Sequence, residues 1–129
     1  MIYVDTSALA KLVIPETESA AMRTFAVGTL VTSTIAGTEL RRTVRRRAPH
    51  LLVDAERVLS GVAQLTVDAD VLRTASTLDP LSLRTLDAIH LASALRVREE
   101  ITTFVAYDKR LLDAAHLAGI PTAAPGLES

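Results

Sequence analysis

Four acidic side chains stand where chemistry could be done: Asp5, Glu39, Asp87 and Asp108. Asp5 ends the apolar, β-rich run Ile2, Tyr3, Val4. Glu39 lies about one turn into the helix expected after a second strand. Asp87 falls in the first turn of a helix opened by Thr85, and Asp108 follows the β-rich run TTFVA. If the fold brings them to one edge, they cannot coexist cheaply. Two like charges about 4 Å apart repel by roughly 4 kcal/mol at an effective dielectric near 20. Such a cluster shares protons or holds a cation. Its oxygen-only donors suit hard cations such as Mg²⁺, Mn²⁺ or Ca²⁺. Mg²⁺ and Mn²⁺ keep waters and can turn one against a phosphodiester. Two such ions would also let a phosphate enter a pocket that repels it when empty. The plainer account is that each acid caps a helix or pairs on the surface, and spacing alone leaves both accounts open. The other acids fall on turns, caps or solvated faces.

Positioning these four requires alternating strands and helices, and the chain supplies them. After Asp5, the residues Ala8, Leu9, Leu12 and Val13 recur with helical spacing, and Thr6 and Ser7 can cap that helix. A helix is expected over Ser19 to Val27, ended by Gly28, and a strand over Thr29 to Thr32. Ser33 or Thr34 then caps a helix from Ile35 to Arg47, stopped by Pro49. Leu51 to Leu59 reads as a helix, Ala63 to Val67 as a strand, and Asp68 as the cap of the next helix. From Thr85 the run LDAIHLASALRV is apolar almost all round, which predicts burial on more than one side. Thr102 to Ala106, Lys109 to Leu117 and Ile120 to Ala123 complete the alternation as strand, helix and strand. The tail PGLES is expected to fray. This order predicts an α/β fold, a parallel sheet with helices on both faces, as one domain over residues 1–129. In such sheets ligands bind at the carboxyl ends of the strands, where Asp5 stands.

Composition narrows the partners. The chain is 129 residues with a formal net charge of −1, so nucleic acid must be held by a local patch or by bound metal. Aromatic residues make up only 3%, which leaves few platforms for stacking bases. Recognition of a nucleic acid through its shape and backbone fits better. There are no cysteines, which excludes disulfides and thiolate zinc sites. With no leader-like start and no apolar run long enough for a bilayer, a cytoplasmic protein is the default expectation.

The one biased run is Arg41 to Arg47. Arg42 and Arg46 lie three and seven residues beyond Glu39, on roughly its own face, and could meet nucleic-acid phosphates or an acidic partner; a solvated helix end is the alternative. Lys11, Arg84, Lys109 and Arg110 lie near the acids in sequence and could contact phosphate or pair with those carboxylates. His90 follows Asp87 by one turn. A packed helix histidine is the commoner case, and a metal-activated water makes a histidine base unnecessary. No phosphate-cradling glycine loop, nucleophile elbow or paired-histidine metal motif occurs.

The blocks DTSALAK, TELRR, RTLDAIHLASAL and FVAYDKRLLDAA, in this order and over essentially the whole chain, resemble the PIN-domain family, and within it the VapC-type toxins of toxin–antitoxin pairs. The resemblance implies a PIN-like three-layer α/β/α sandwich around a parallel sheet. It also implies a Mg²⁺- or Mn²⁺-dependent endoribonuclease. Asp5, Glu39, Asp87 and Asp108 match the family's acidic quartet as catalytic residues and metal ligands, with Asp5 and Asp87 the most regular ligands. Ser7, with Thr6, is expected to support the acids from behind. The implied partners are a small VapB-like antitoxin and RNA, and the implied assembly is a homodimer or a toxin–antitoxin hetero-oligomer. One departure is Ala106, where many relatives carry Thr. Two other readings stay open. One is a catalytically inactive PIN-like module that binds RNA or protein. The other is an aspartyl-phosphate enzyme using Asp5, which Ser7, in place of a second acid, disfavours.

Overall fold

The computed structural model describes residues 1–127. Five parallel strands form its sheet: β1 (Ile2–Val4), β2 (Leu30–Ser33), β3 (Ala63–Leu65), β4 (Thr103–Val105) and β5 (Thr122–Ala123), in the order β3-β2-β1-β4-β5. β1 is central, with Ile2 in register with Leu30 on one side and Thr103 on the other. Seven helices among the described residues connect and cover the strands: α1 (Thr6–Val13), α2 (Ser19–Phe25), α3 (Ile35–Arg47), α4 (Leu52–Ser60), α5 (Ala69–Ser76), α6 (Thr85–Arg96) and α7 (Lys109–Leu117).

The two-residue period of β1 divides the core. Val4 points into one cluster with Leu9 of α1, Met22 of α2, Leu40 and Val44 of α3, and Leu59 of α4. Tyr3 points the other way, into a cluster with Phe104, Leu91 of α6 and Leu111 of α7. Helices therefore flank both faces, giving the expected α/β/α sandwich. The unbroken apolar run of α6 has its predicted consequence, since every residue from Ala88 to Ala94 is buried. One side meets the sheet, and Ile89 and Ala92 meet Val71 of α5 on the other.

The structure departs from the sequence expectations in small ways. The cap of α1 is Asp5 itself, whose Oδ1 accepts from the Ala8 amide at 2.9 Å, rather than Thr6 or Ser7. α2 stops at Phe25, before Val27, and Gly28 takes a positive φ of 102° where the chain turns towards β2. A 3-10 turn over Pro49–Leu51 delays α4 by one residue, and β3 ends at Leu65, short of Val67. The tail is docked over residues 125–127: the Tyr107 hydroxyl donates to the Pro125 carbonyl at 2.7 Å. Gly126, at φ 85°, lies so close to α2 that an added Cβ would stand 2.9 Å from the Ala21 Cβ. The rest of the tail, residues 128–129, lies outside the described residues. Among the described residues no helix is long and apolar enough to cross a membrane.

Candidate active site

Short strands and tight caps set the four acids at one edge. Asp5 follows β1 directly and caps α1; Asp108 lies just beyond β4 and caps α7, its Oδ1 accepting from the Leu111 amide at 3.0 Å. Capping and cleft-lining are thus not rivals, because one carboxylate oxygen serves the helix and the other remains. Glu39 comes from α3 and Asp87 from the first turn of α6. All four line one cleft of about 320 Å³, with Lys11, Arg47, Arg84 and His90 among its other walls.

Each acid is held by named partners. Ser7 Oγ donates to Asp5 Oδ1 at 2.7 Å and accepts from the Tyr107 amide at 2.9 Å, tying α1 to the end of β4. That amide contact belongs to the loop after Ala106, a buried position with no hydroxyl of its own. Thr6 Oγ1 donates to Glu39 Oε1 at 2.6 Å, and His90 Nε2 lies 2.8 Å from the same oxygen. His90 is 1% exposed, and its Nδ1 is 2.8 Å from the Tyr3 hydroxyl. Burial holds the Tyr3 phenol well above its ordinary pKa, so it stays protonated. The network closes when the phenol donates to Nδ1 and Nε2–H donates to Glu39. Arg84 bridges the remaining pair, with Nε 3.3 Å from Asp87 Oδ2 and an amino nitrogen 3.4 Å from Asp108 Oδ2.

No hydrogen bond among the described residues reaches Asp5 Oδ2, Glu39 Oε2 or Asp87 Oδ1. The donor chemistry is therefore that of a hard divalent cation. The acids do not form a ready-made cage: among the described residues, no three carboxylates or imidazoles stand close enough to hold an ion as placed.

The electrostatics follow from burial. Asp5 is raised from 3.8 to about 6, chiefly by burial, with His90, Ser7 and Ala8 offsetting part of it and the Asp87 charge adding to it. Asp87 is also raised, by burial first, against the pull of Arg84. For Glu39, burial pushes upward, but the His90 and Thr6 hydrogen bonds outweigh it and the net direction is down. A carboxyl that holds its proton more tightly folded than unfolded favours the folded state at low pH and loses that advantage as pH rises. In chelator-treated protein, the Asp5 contribution should therefore fall between pH 4 and 6, by about 3 kcal/mol in all. Urea unfolding of wild type and Asp5→Asn across that range measures it. The wild type should lose stability relative to the variant as pH rises.

The basic residues divide. Lys11 lines the cleft but is tied to Glu18 at 2.8 Å and Glu16 at 3.4 Å, and lies 5.0 Å from the centre of the Tyr107 ring. Lys109 turns to Asp113 at 3.2 Å and does not line the cleft, because its place on α7 carries it along the outer face. Arg47, not singled out by spacing, does line it, paired with Glu16 at 3.4 Å. Sequence reasoning also passed over Tyr3 as a polar partner and undervalued His90. The available signal was that β1 alternation turns Tyr3 towards α6, while His90 sits one turn from Asp87 on that helix.

A parallel sheet in this order, with acids from β1, α3, α6 and β4 at its carboxyl edge, is the arrangement of a PIN domain. The sequence matches the PIN domain family over residues 2–117, and the chain belongs to that family. Its relatives there include the VapC ribonucleases. It is 42% identical to ribonuclease VapC47 of Mycobacterium tuberculosis (strain CDC 1551 / Oshkosh), over 98% of each chain. Solved structures that share the fold include the following two. One is M. tuberculosis VapC20, described as a sarcin-ricin loop cleaving toxin (24% identity, TM-score 0.75, covering 97% of this chain and 100% of that one). The other is a toxin–antitoxin complex from Klebsiella pneumoniae (19% identity, TM-score 0.74, covering 100% of each chain).

Proposed function

We propose that this chain is a divalent-metal-dependent endoribonuclease and the toxin of a toxin–antitoxin pair. The observation that carries the reading is the cleft itself, where four carboxylates distant in sequence gather and three keep an oxygen free of protein hydrogen bonds. The VapC ribonuclease relatives, matched over nearly their full length, supply the reaction class.

Asp5, Glu39, Asp87 and Asp108 would hold Mg²⁺ or Mn²⁺. When bound, such an ion supplies charge neutralisation at the scissile phosphate and a more acidic water. The chain's own residues do the rest. Ser7 and the Ala8 amide fix Asp5 by one oxygen, leaving the other towards the cleft. Thr6 and His90 do the same for Glu39. Arg84 is 72% exposed along its side chain, so it can leave Asp87 and Asp108 and turn to a phosphate oxygen. Arg47 offers a second cation at the cleft wall. Hydrolysis adds water across one P–O bond of the strand, leaving a phosphate end and a hydroxyl end. The antitoxin would silence the enzyme by covering this cleft.

Purified protein incubated with RNA should cut it at discrete positions on addition of Mg²⁺ or Mn²⁺ and leave it whole in chelator. A catalytically silent binding module would retain RNA without cutting it in either condition, and that result would overturn the proposal.

A further inference from the structure

Beside the acidic cleft lies a second one, most of whose walls the chemistry above does not use. It encloses about 450 Å³ between α3 and the start of α6, and shares Glu39 and Thr43 with the acidic cleft. Arg42 and Arg46 line it on one side, with Leu86 and Ile35 supplying apolar surface. It continues into a smaller pocket walled by Arg42, Arg45 and Arg46.

The arginines of α3 are not equivalent. Arg41 is committed to Glu56, with nitrogen–oxygen distances of 2.6 and 2.9 Å, and Arg47 to Glu16. Arg42, Arg45 and Arg46 have no acidic partner among the described residues. Position at the helix C-terminus explains Arg45 and Arg46, which sit in the last turn, but not Arg42. Arg42 and Arg46 are also four residues apart, a like-charge pair that costs the isolated helix a few tenths of a kcal/mol. An uncompensated pair rising about 6 Å along one face, opening onto a groove, matches a repeating anion. Leu86, 48% exposed, and Ile35 give that groove an apolar wall facing the two arginines.

We infer that this groove seats the RNA strand on one side of the scissile phosphate, with Arg42 and Arg46 on successive phosphates and the sugar of the strand passing Leu86. This rests on the ribonuclease reading and deepens it by naming the side chains that hold the strand beside the cut. The length required is the cut site plus at least two nucleotides on the α3 side.

The test uses Asp5→Asn protein, which binds without cutting, and labelled single-stranded oligonucleotides over a salt series. Arg42→Gln and Arg46→Gln should each lower the slope of log affinity against log salt by about 0.7 and weaken binding several-fold. Arg41→Gln makes the same change of charge on the other face of α3 and should leave the slope unchanged. In the active background, Arg42→Gln and Arg46→Gln should raise KM for long RNA with kcat little changed. If all three variants keep the wild-type slope, the groove assignment is wrong while metal-dependent cleavage stands. The assignment is equally wrong if Arg42→Gln and Arg46→Gln weaken binding of an acidic peptide but not of RNA. If wild type binds RNA through these arginines yet never cuts it with metal, the ribonuclease reading fails and the groove survives.

Discussion

Asp5→Asn should abolish RNA cleavage and leave the fold intact or firmer. The Asn carbonyl can still accept from Ser7 Oγ and the Ala8 amide, so the cap of α1 survives. What disappears is a buried negative charge, 4% exposed and already reluctant to ionise. What replaces Oδ2 is an amide that donates instead of ligating. Losing even ~3 kcal/mol of the several that a bound ion contributes to the transition state is a drop on the order of 100-fold in rate. In chelator, the variant's thermal midpoint should equal or exceed that of wild type. With Mn²⁺ present, wild type should gain stability and the variant should gain much less. Cleavage near the wild-type rate would remove the acidic cleft from the chemistry.

The second large effect belongs to His90. Replacing it with Ala opens a void in the core and strands the Tyr3 hydroxyl, which is fully buried. An unpaired buried donor costs about 1–3 kcal/mol and the void adds to it. A total near ~3 kcal/mol moves the thermal midpoint of a domain this size by about 10 °C. Glu39 also loses one of two donors to Oε1, leaving Thr6 alone to orient it. Cleavage should fall more steeply than the folded fraction does. His90→Gln separates the two roles, because its amide can still donate to Glu39 while the Tyr3 contact is lost. It should recover part of the activity without recovering the stability. Equal activity in both variants, once corrected for folding, would reduce His90 to a packing residue.

Much of this was legible from the chain alone, because local signals and global fold agree. α3 and α7 have the bounds expected of them, and the all-round apolarity of α6 correctly implied burial on more than one side, which the sheet and α5 supply. Asp5 and Asp108 declared themselves by standing where apolar strands stop, and Glu39 and Asp87 by lying in early turns of the helices that follow. What the sequence left open was whether Asp5 and Asp108 cap helices or face a cleft; they do both, because a carboxylate has two oxygens. The Tyr3–His90–Glu39 chain was harder to foresee. It joins residues separated by 87 and 51 positions, and only the register of β1 against α6 brings them into contact. The fate of each cation was likewise a matter of rotation about a helix. One step along α3 separates Arg41, paired with Glu56, from Arg42, which opens onto a groove.

The place of β1 in the middle of the sheet has a consequence for biosynthesis. β1 leaves the ribosome early, yet one of its two neighbours, β4, starts at Thr103. Until that segment emerges, the centre of the sheet has an open edge, and Asp108 has not been set beside Asp5. At translation speeds of about 5–20 residues per second, several seconds separate the emergence of the two strands. The acidic cleft is therefore complete only once the chain through Asp108 has been made, long after its first carboxylate has emerged.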